Sequence, residues 1–186
     1  FGDYAPNGKL PVTFYQGTEN LPEFTDYSMA GRTYRYTDKN ILYPFGYGLT
    51  YGTISYSGAK TEQETSAVLD DVTVCTKVKN ESAYPLHESV EVYVKYKHAQ
   101  PGEPGFQLKG IACVELQAGE EKEVSVTLHA RDFAVITEDG GCAVRPGEYE
   151  ISIGGQQPGE RSRALTGRET EILTVRKEGN EENVEY

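Results

Sequence analysis

Tryptophan is missing from this 186-residue chain, and cations are scarce: 18 lysines and arginines face 29 aspartates and glutamates, for a formal charge of −11. That sign argues against nucleic acid or an anionic membrane surface as a partner, since either would need a cationic face. The lack of tryptophan counts against a sugar-stacking platform, which favours large exposed rings. No apolar run approaches the ~18 residues of a membrane helix. Cysteine is nearly absent as well. Cys75, Cys113 and Cys142 are odd in number, so a disulfide framework of pairs is not expected, and their spacing suits no metal site. Their apolar, strand-like surroundings suggest buried free thiols in a reducing compartment, which favours a cytoplasmic location. Neither a cofactor nor a metal is expected.

Tyrosine is abundant and unevenly placed: nine of the 14 fall within residues 1–56. The densest stretch is Tyr43-Pro44-Phe45-Gly46-Tyr47-Gly48-Leu49-Thr50-Tyr51, preceded by Gly31-Arg32-Thr33-Tyr34-Arg35-Tyr36. Glycines and Pro44 break regular pairing, yet so many rings cannot be left in water. The composition therefore predicts an irregular arm over 15–59 that docks on another surface, one expected to lie outside this chain. Arg32, Tyr34, Arg35, Tyr36, Tyr43, Phe45, Tyr47 and Tyr51 are its candidate docking residues. The tyrosines could instead stack on sugar rings. Docking is favoured because Gly and Pro between the rings suit close backbone approach rather than a flat platform. The arginines could pair with acids on the neighbouring surface or reach a substrate carboxylate.

Beyond the arm the pattern changes to period two. Val72, Val74, Thr76 and Val78 share one strand face. Val90, Val92, Val94 and Tyr96 alternate with Glu91, Tyr93, Lys95 and Lys97, which read as a wet outer face. Val124, Val126 and Leu128 repeat the pattern, as do Tyr149, Ile151 and Ile153. Turns at Asn80-Glu81-Ser82, Pro101 to Gly105, Ala118-Gly119-Glu120, Asp139-Gly140-Gly141 and Pro146-Gly147 separate them. Seven or so such strands predict an all-β antiparallel sandwich over 60–176. Ala130 to Phe133 is expected to add one helical turn, and the acidic tail 177–186 is expected to fray.

No catalytic constellation is legible. Asp70-Asp71 and Glu120-Glu121 sit at strand ends and turns and read as solvated surface charge. His87, His98 and His129 lack ligand spacing, and no serine sits in a nucleophile elbow. Gly46-Tyr47-Gly48 is followed by no Lys-Ser/Thr and opens no helix, so it is no phosphate loop.

Taken in order, Gly-Lys-Leu-Pro-Val-Thr-Phe (8–14), Gly-Arg-Thr-Tyr-Arg-Tyr and Tyr-Pro-Phe-Gly-Tyr-Gly-Leu-Thr-Tyr resemble the C-terminal region of family 3 glycoside hydrolases, of the β-glucosidase and β-xylosidase type. Val90 to Val94, Leu108-Lys109-Gly110, Glu115 to Glu120, Val124 to Leu128 and Pro146 to Ile151 resemble the strands of that family's fibronectin type III-like, immunoglobulin-like domain. Gly154 with Arg161-Ser162-Arg163 resembles its last hairpin. Ile111 and Cys142 depart from the usual aromatics at what read as core positions. The resemblance implies that 1–14 end an α/β sandwich domain, that 15–59 are the arm, and that 60–176 are the fibronectin-like domain. It implies a parent enzyme that hydrolyses terminal non-reducing β-D-glucosyl or xylosyl residues with retention. The Asp nucleophile and Glu acid/base of that family lie upstream of these motifs, so this segment is expected to be structural. Its expected partners are the catalytic barrel and α/β sandwich domains of the same enzyme. The alternative function is a non-catalytic carbohydrate-binding or adhesion module.

Overall fold

The computed structural model describes residues 4–19, 21–137 and 139–185. Phe1, the opening residue of the segment expected to end an α/β domain, lies outside the described residues. In chain order, residues 4–53 form one arm, since the segment leading in packs with it, and carry β1 (Phe14–Tyr15), a four-residue helix α1 (Thr33–Tyr36) and β2 (Ile41–Tyr43), with β1 and β2 paired antiparallel. Then follow β3 (Ile54–Thr61), β4 (Thr65–Ala67), β5 (Val72–Asn80), β6 (Leu86–Tyr96), β7 (Gln107–Leu116) and β8 (Glu121–Leu128). A 3₁₀ turn occupies Ala130–Phe133, followed by β9 (Val135–Ile136), β10 (Cys142–Val144) and β11 (Gly147–Gly154). Helix α2 (Glu160–Thr166), β12 (Glu171–Glu178) and β13 (Glu182–Asn183) complete the order.

Alternation builds the sandwich. A three-stranded sheet runs β3-β5-β8 and a five-stranded one runs β4-β12-β11-β6-β7, with β4 parallel to β12 and every other pair antiparallel. Val72, Val74 and Val78 on β5 and Leu128 on β8 are fully buried. They meet Val90 and Val92 of β6, Ile151 and Ile153 of β11 and Val175 of β12 in one core. Each such side chain contributes roughly 1.5–3 kcal/mol of transfer free energy. The first sheet begins at Ile54, whose backbone pairs with Asn80, so the sandwich opens within the segment assigned to the arm.

Several expectations are corrected here. The acidic end is not frayed at its start: Lys177 is buried in β12, where its ammonium donates to the Asp70 carbonyl and lies 4.5 Å from the Phe133 ring centroid. Burial holds its pKa below the usual lysine range. Beyond it, β13 pairs with β10 through Ala143 and Val144. Ile111 is not a core residue. It stands on the outer face of β7, 58% exposed, while Leu116 points inward on the opposite parity. The cysteines are free but not buried: Cys113 is exposed, and Cys75 and Cys142 are half-buried. The last hairpin carries α2, closed by Gly167 in the left-handed region at φ 68°.

Candidate functional site

The arm is the candidate site, and its two faces differ. One is already buried against the sandwich, contrary to the expectation that its docking surface would lie outside this chain. Tyr34 and Phe45 stack face to face with centroids 4.0 Å apart, and both meet the Tyr93 ring edge-on at 6.3 and 6.4 Å. Such pairs contribute about 0.5–1.5 kcal/mol beyond the area they bury. Tyr93 belongs to the alternation read as wet, yet it is fully buried and Glu91 is 2% exposed. Period two correctly separates the two faces of β6. It carries no information about a second layer covering the outer one.

Backbone chemistry holds the arm close. Leu10 N–H donates to the Tyr47 carbonyl and Gly46 N–H to the Leu10 carbonyl, both at 2.9 Å. Gly46 sits at φ +74°, and a Cβ there would collide with the Glu91 carboxylate and the Tyr93 hydroxyl. Only glycine permits that approach. Tyr34 is anchored further where its hydroxyl accepts from Leu108 N–H at 3.1 Å, and Gly105 N–H donates to the Arg35 carbonyl at 2.7 Å. From α2, the Arg161 guanidinium donates to the Leu42 carbonyl at 2.8 and 3.1 Å.

Beneath this cover lies a polar clamp. Lys9 reaches from the arm to Glu88 Oε1 at 2.9 Å and to the Gly155 carbonyl at 2.6 Å, with the two side chains only 13% and 2% exposed. Beside it the Tyr93 hydroxyl donates to Glu91 Oε2 at 2.7 Å. Burial raises the Glu91 carboxyl to about 7, with the Tyr93 hydrogen bond and the Lys9 charge pulling the other way. The same burial pushes the Tyr93 phenol well above its ordinary value. Two carboxylates thus lie near one another, but a substrate reaches neither: one is held by an ammonium, the other by a phenol, and both are sealed under the arm. The arrangement fixes a joint. Lys9, Glu88, Glu91, Tyr93 and Arg161 were not legible as site residues, because each reads in sequence as a polar side chain facing water.

The opposite face of the arm is apolar and open. Val12, Phe14, Leu42, Tyr43 and Leu49 are 51%, 47%, 38%, 39% and 70% exposed. Tyr43 stacks on Tyr47 at 5.3 Å with rings 17° apart, and Phe14 meets Tyr43 edge-on at 6.4 Å. These rings line a 570 Å³ recess with Pro6, Leu10 and Leu49. Farther along, Phe24 and Tyr27 are each 89% exposed on a loop held by Arg32, whose guanidinium donates to the Glu23 and Asp26 carbonyls at 2.8 and 3.0 Å. The predicted residues therefore divide. Tyr34 and Phe45 pack inward. Arg35 lies 5.7 Å above the Tyr34 ring, and Tyr36 borders a cleft beside α1. Tyr43, Tyr47 and Tyr51 belong to the outer side, with Tyr51 66% exposed.

Comparison with known proteins gives two family matches. Residues 1–51 match the glycosyl hydrolase family 3 C-terminal domain, and residues 88–157 match the fibronectin type III-like domain. The chain is 37% identical over 155 residues to a xylan 1,4-β-xylosidase of Xylanibacter ruminicola, covering 83% of this chain and 18% of that protein. It is 30% identical over 166 residues to a periplasmic β-glucosidase of Salmonella typhimurium, covering 83% and 22%. The crystal structure of a Bifidobacterium adolescentis family 3 β-glucosidase superposes with a TM-score of 0.77 at 28% identity, over 95% of this chain and 27% of that one. The chain spans about a fifth of the length of the curated relatives it matches.

Proposed function

Since the chain belongs to glycoside hydrolase family 3, as its C-terminal region, we propose that it is the structural end of a retaining β-glycosidase. The parent enzyme acts on terminal non-reducing β-D-glucosyl or β-D-xylosyl residues through a covalent glycosyl-enzyme. The carboxyl pair for that chemistry comes from the catalytic barrel and the α/β sandwich domain, which this segment contacts. The observation that carries the reading is the two-faced arm. Its inner face is complete against the sandwich, while its outer face leaves Phe14, Tyr43 and Leu49 in water, an apolar patch suited to burial by another domain. The sandwich thus acts as a fixed bracket that presents the arm to the rest of the enzyme. The three free thiols, one of them exposed, support a cytoplasmic setting for the parent.

The test uses the parent enzyme and this chain side by side. Phe14→Ser and Tyr43→Ser should leave the melting temperature of this chain nearly unchanged. In the parent they should lower it by several degrees, with KM for an aryl β-glucoside little affected. A large rise in KM with unchanged stability would mean that the outer rings line the sugar site. A non-catalytic carbohydrate-binding module remains the second reading. Retention of this chain on insoluble xylan or cellulose, lost in Tyr43→Ser, would favour it.

A further inference from the structure

A cleft of about 440 Å³ opens between α1 of the arm and the end of the sandwich formed by β7, the 3₁₀ turn and β9–β10. Its walls are chemically unlike the apolar recess on the arm's outer face. Arg35, Tyr36, Gln107, Lys109, Arg131 and Asp132 contribute polar groups, and Val135 with its neighbours contributes an apolar strip. The volume falls in the range of small-molecule sites.

The charges in the cleft are unequal in what they already do. Glu103, on its rim, is engaged: Oε1 accepts from Arg145 at 2.6 Å and Oε2 from Gln100 N–H at 2.8 Å. Asp132 Oδ2 accepts from His129 N–H at 2.8 Å, which closes the 3₁₀ turn. Lys109 is half-buried on β7, and neither it nor Arg131 makes a side-chain hydrogen bond or salt bridge among the described residues. Burial holds the Lys109 ammonium below its usual pKa, the Arg35 charge adds to that, and Asp132 opposes it. Asp132 offsets the desolvation of Lys109 only in part, and Arg35 and Arg131 bring two more cations to the cleft, which keeps a positive balance in a chain of net charge −11.

We propose that this cleft binds a sugar acid of monosaccharide size, with its carboxylate between Lys109 and Arg131. The class follows from the remaining groups. A compact dianion such as phosphate would meet the Asp132 carboxylate at close range. A monoanion bearing hydroxyls instead finds an acceptor in Asp132 and a donor and acceptor in the Gln107 amide. The strip at Ala134, Val135 and Ile136 suits the C–H face of a pyranose ring, and the Tyr36 ring borders the other side. The proposal rests on these walls alone and does not require the glycosidase reading.

The test is an amide NMR titration of the 186-residue chain with D-glucuronate, D-glucose and acetate. Glucuronate should shift the amides of Lys109, Arg131 and Asp132 saturably, and raising the salt from 20 to 200 mM should weaken it several-fold through screening. Glucose and acetate should each bind at least ~10-fold more weakly, since each lacks half of the recognised groups. Lys109→Gln and Arg131→Gln should each weaken glucuronate about 10–100-fold, the worth of one charge-assisted hydrogen bond, and leave distant amides unmoved. Equal shifts from acetate would reduce the cleft to a counter-ion site, and equal binding of glucose would make it a neutral-sugar site. Either result overturns the proposal, as does the absence of saturable shifts or undiminished binding in Lys109→Gln.

Discussion

Replacing Lys9 with methionine keeps the length of the side chain and removes one charge. The consequence is set by what Lys9 holds. Its ammonium is the salt-bridge partner of Glu88, whose side chain is 2% exposed, and it also caps the Gly155 carbonyl. Breaking a buried pair by removing one partner typically costs about 3–5 kcal/mol, because the other charge stays buried without compensation. The charge of Lys9 also opposes the burial that raises Glu91, so the variant should push that carboxyl higher still. The loss falls on the joint between arm and sandwich, and the strand pairing of the sandwich is unaffected. The assay is therefore native-state hydrogen exchange at the Leu10 and Gly46 amides, which donate only across the arm. With 1.4 kcal/mol per factor of ten, exchange there should accelerate by roughly 10²–10³ in Lys9→Met. Amides of β5 and β8 should change far less. The double variant Lys9→Met/Glu88→Leu should recover most of the loss, since it removes the orphaned carboxylate. Acceleration of less than about threefold in the single variant, or no recovery in the double, would refute the assignment of the joint to this ion pair.

Two further outcomes follow from the same joint. Glu91 takes its proton in the folded chain at about 7, above the ordinary 4.5, so the folded state binds the proton more tightly and stability falls as pH rises from about 4.5 to 7. The slope reaches at most about 1.4 kcal/mol per pH unit. Urea denaturation at pH 5 and 8 should show the loss in the parent sequence and much less of it in Glu91→Gln; identical pH profiles would refute the account. Gly46→Ala meets both a positive φ and the Glu91 and Tyr93 oxygens, so it should destabilise the arm by at least about 2 kcal/mol. Limited proteolysis between residues 16 and 40 should report the loosened arm as faster cleavage, and unchanged cleavage would contradict the close contact.

The strands were legible because each solves a local problem. Val72 to Val78 and Val124 to Leu128 alternate in a way that only a half-buried pleat satisfies. The aromatic arm was legible as something that must be buried, since rings, glycines and Pro44 together suit neither a helix nor free coil. Its partner was not legible. Glu91 and Tyr93 have the parity of a wet face, and covering that face depends on the arm's tertiary path, which leaves no periodic trace. Ile111 misled for a related reason. It is apolar but opposite in parity to Leu116, and position on the strand outweighs hydrophobicity. The same holds for Lys177, a charged residue that β12 carries inward to the Asp70 carbonyl.

The clamp also sets a timetable for the newly made chain. Lys9 leaves the ribosome long before the residues that receive it, since the Gly155 carbonyl lies 146 residues later. At about 5–20 residues per second, roughly 7–30 s pass between the two. The inward rings wait less: Tyr93, the edge that Tyr34 and Phe45 meet, follows Phe45 by 48 residues, about 2–10 s at the same rate. The arm can therefore settle on β6, which carries both Tyr93 and Glu88, before the clamp is completed by Gly155 just after β11.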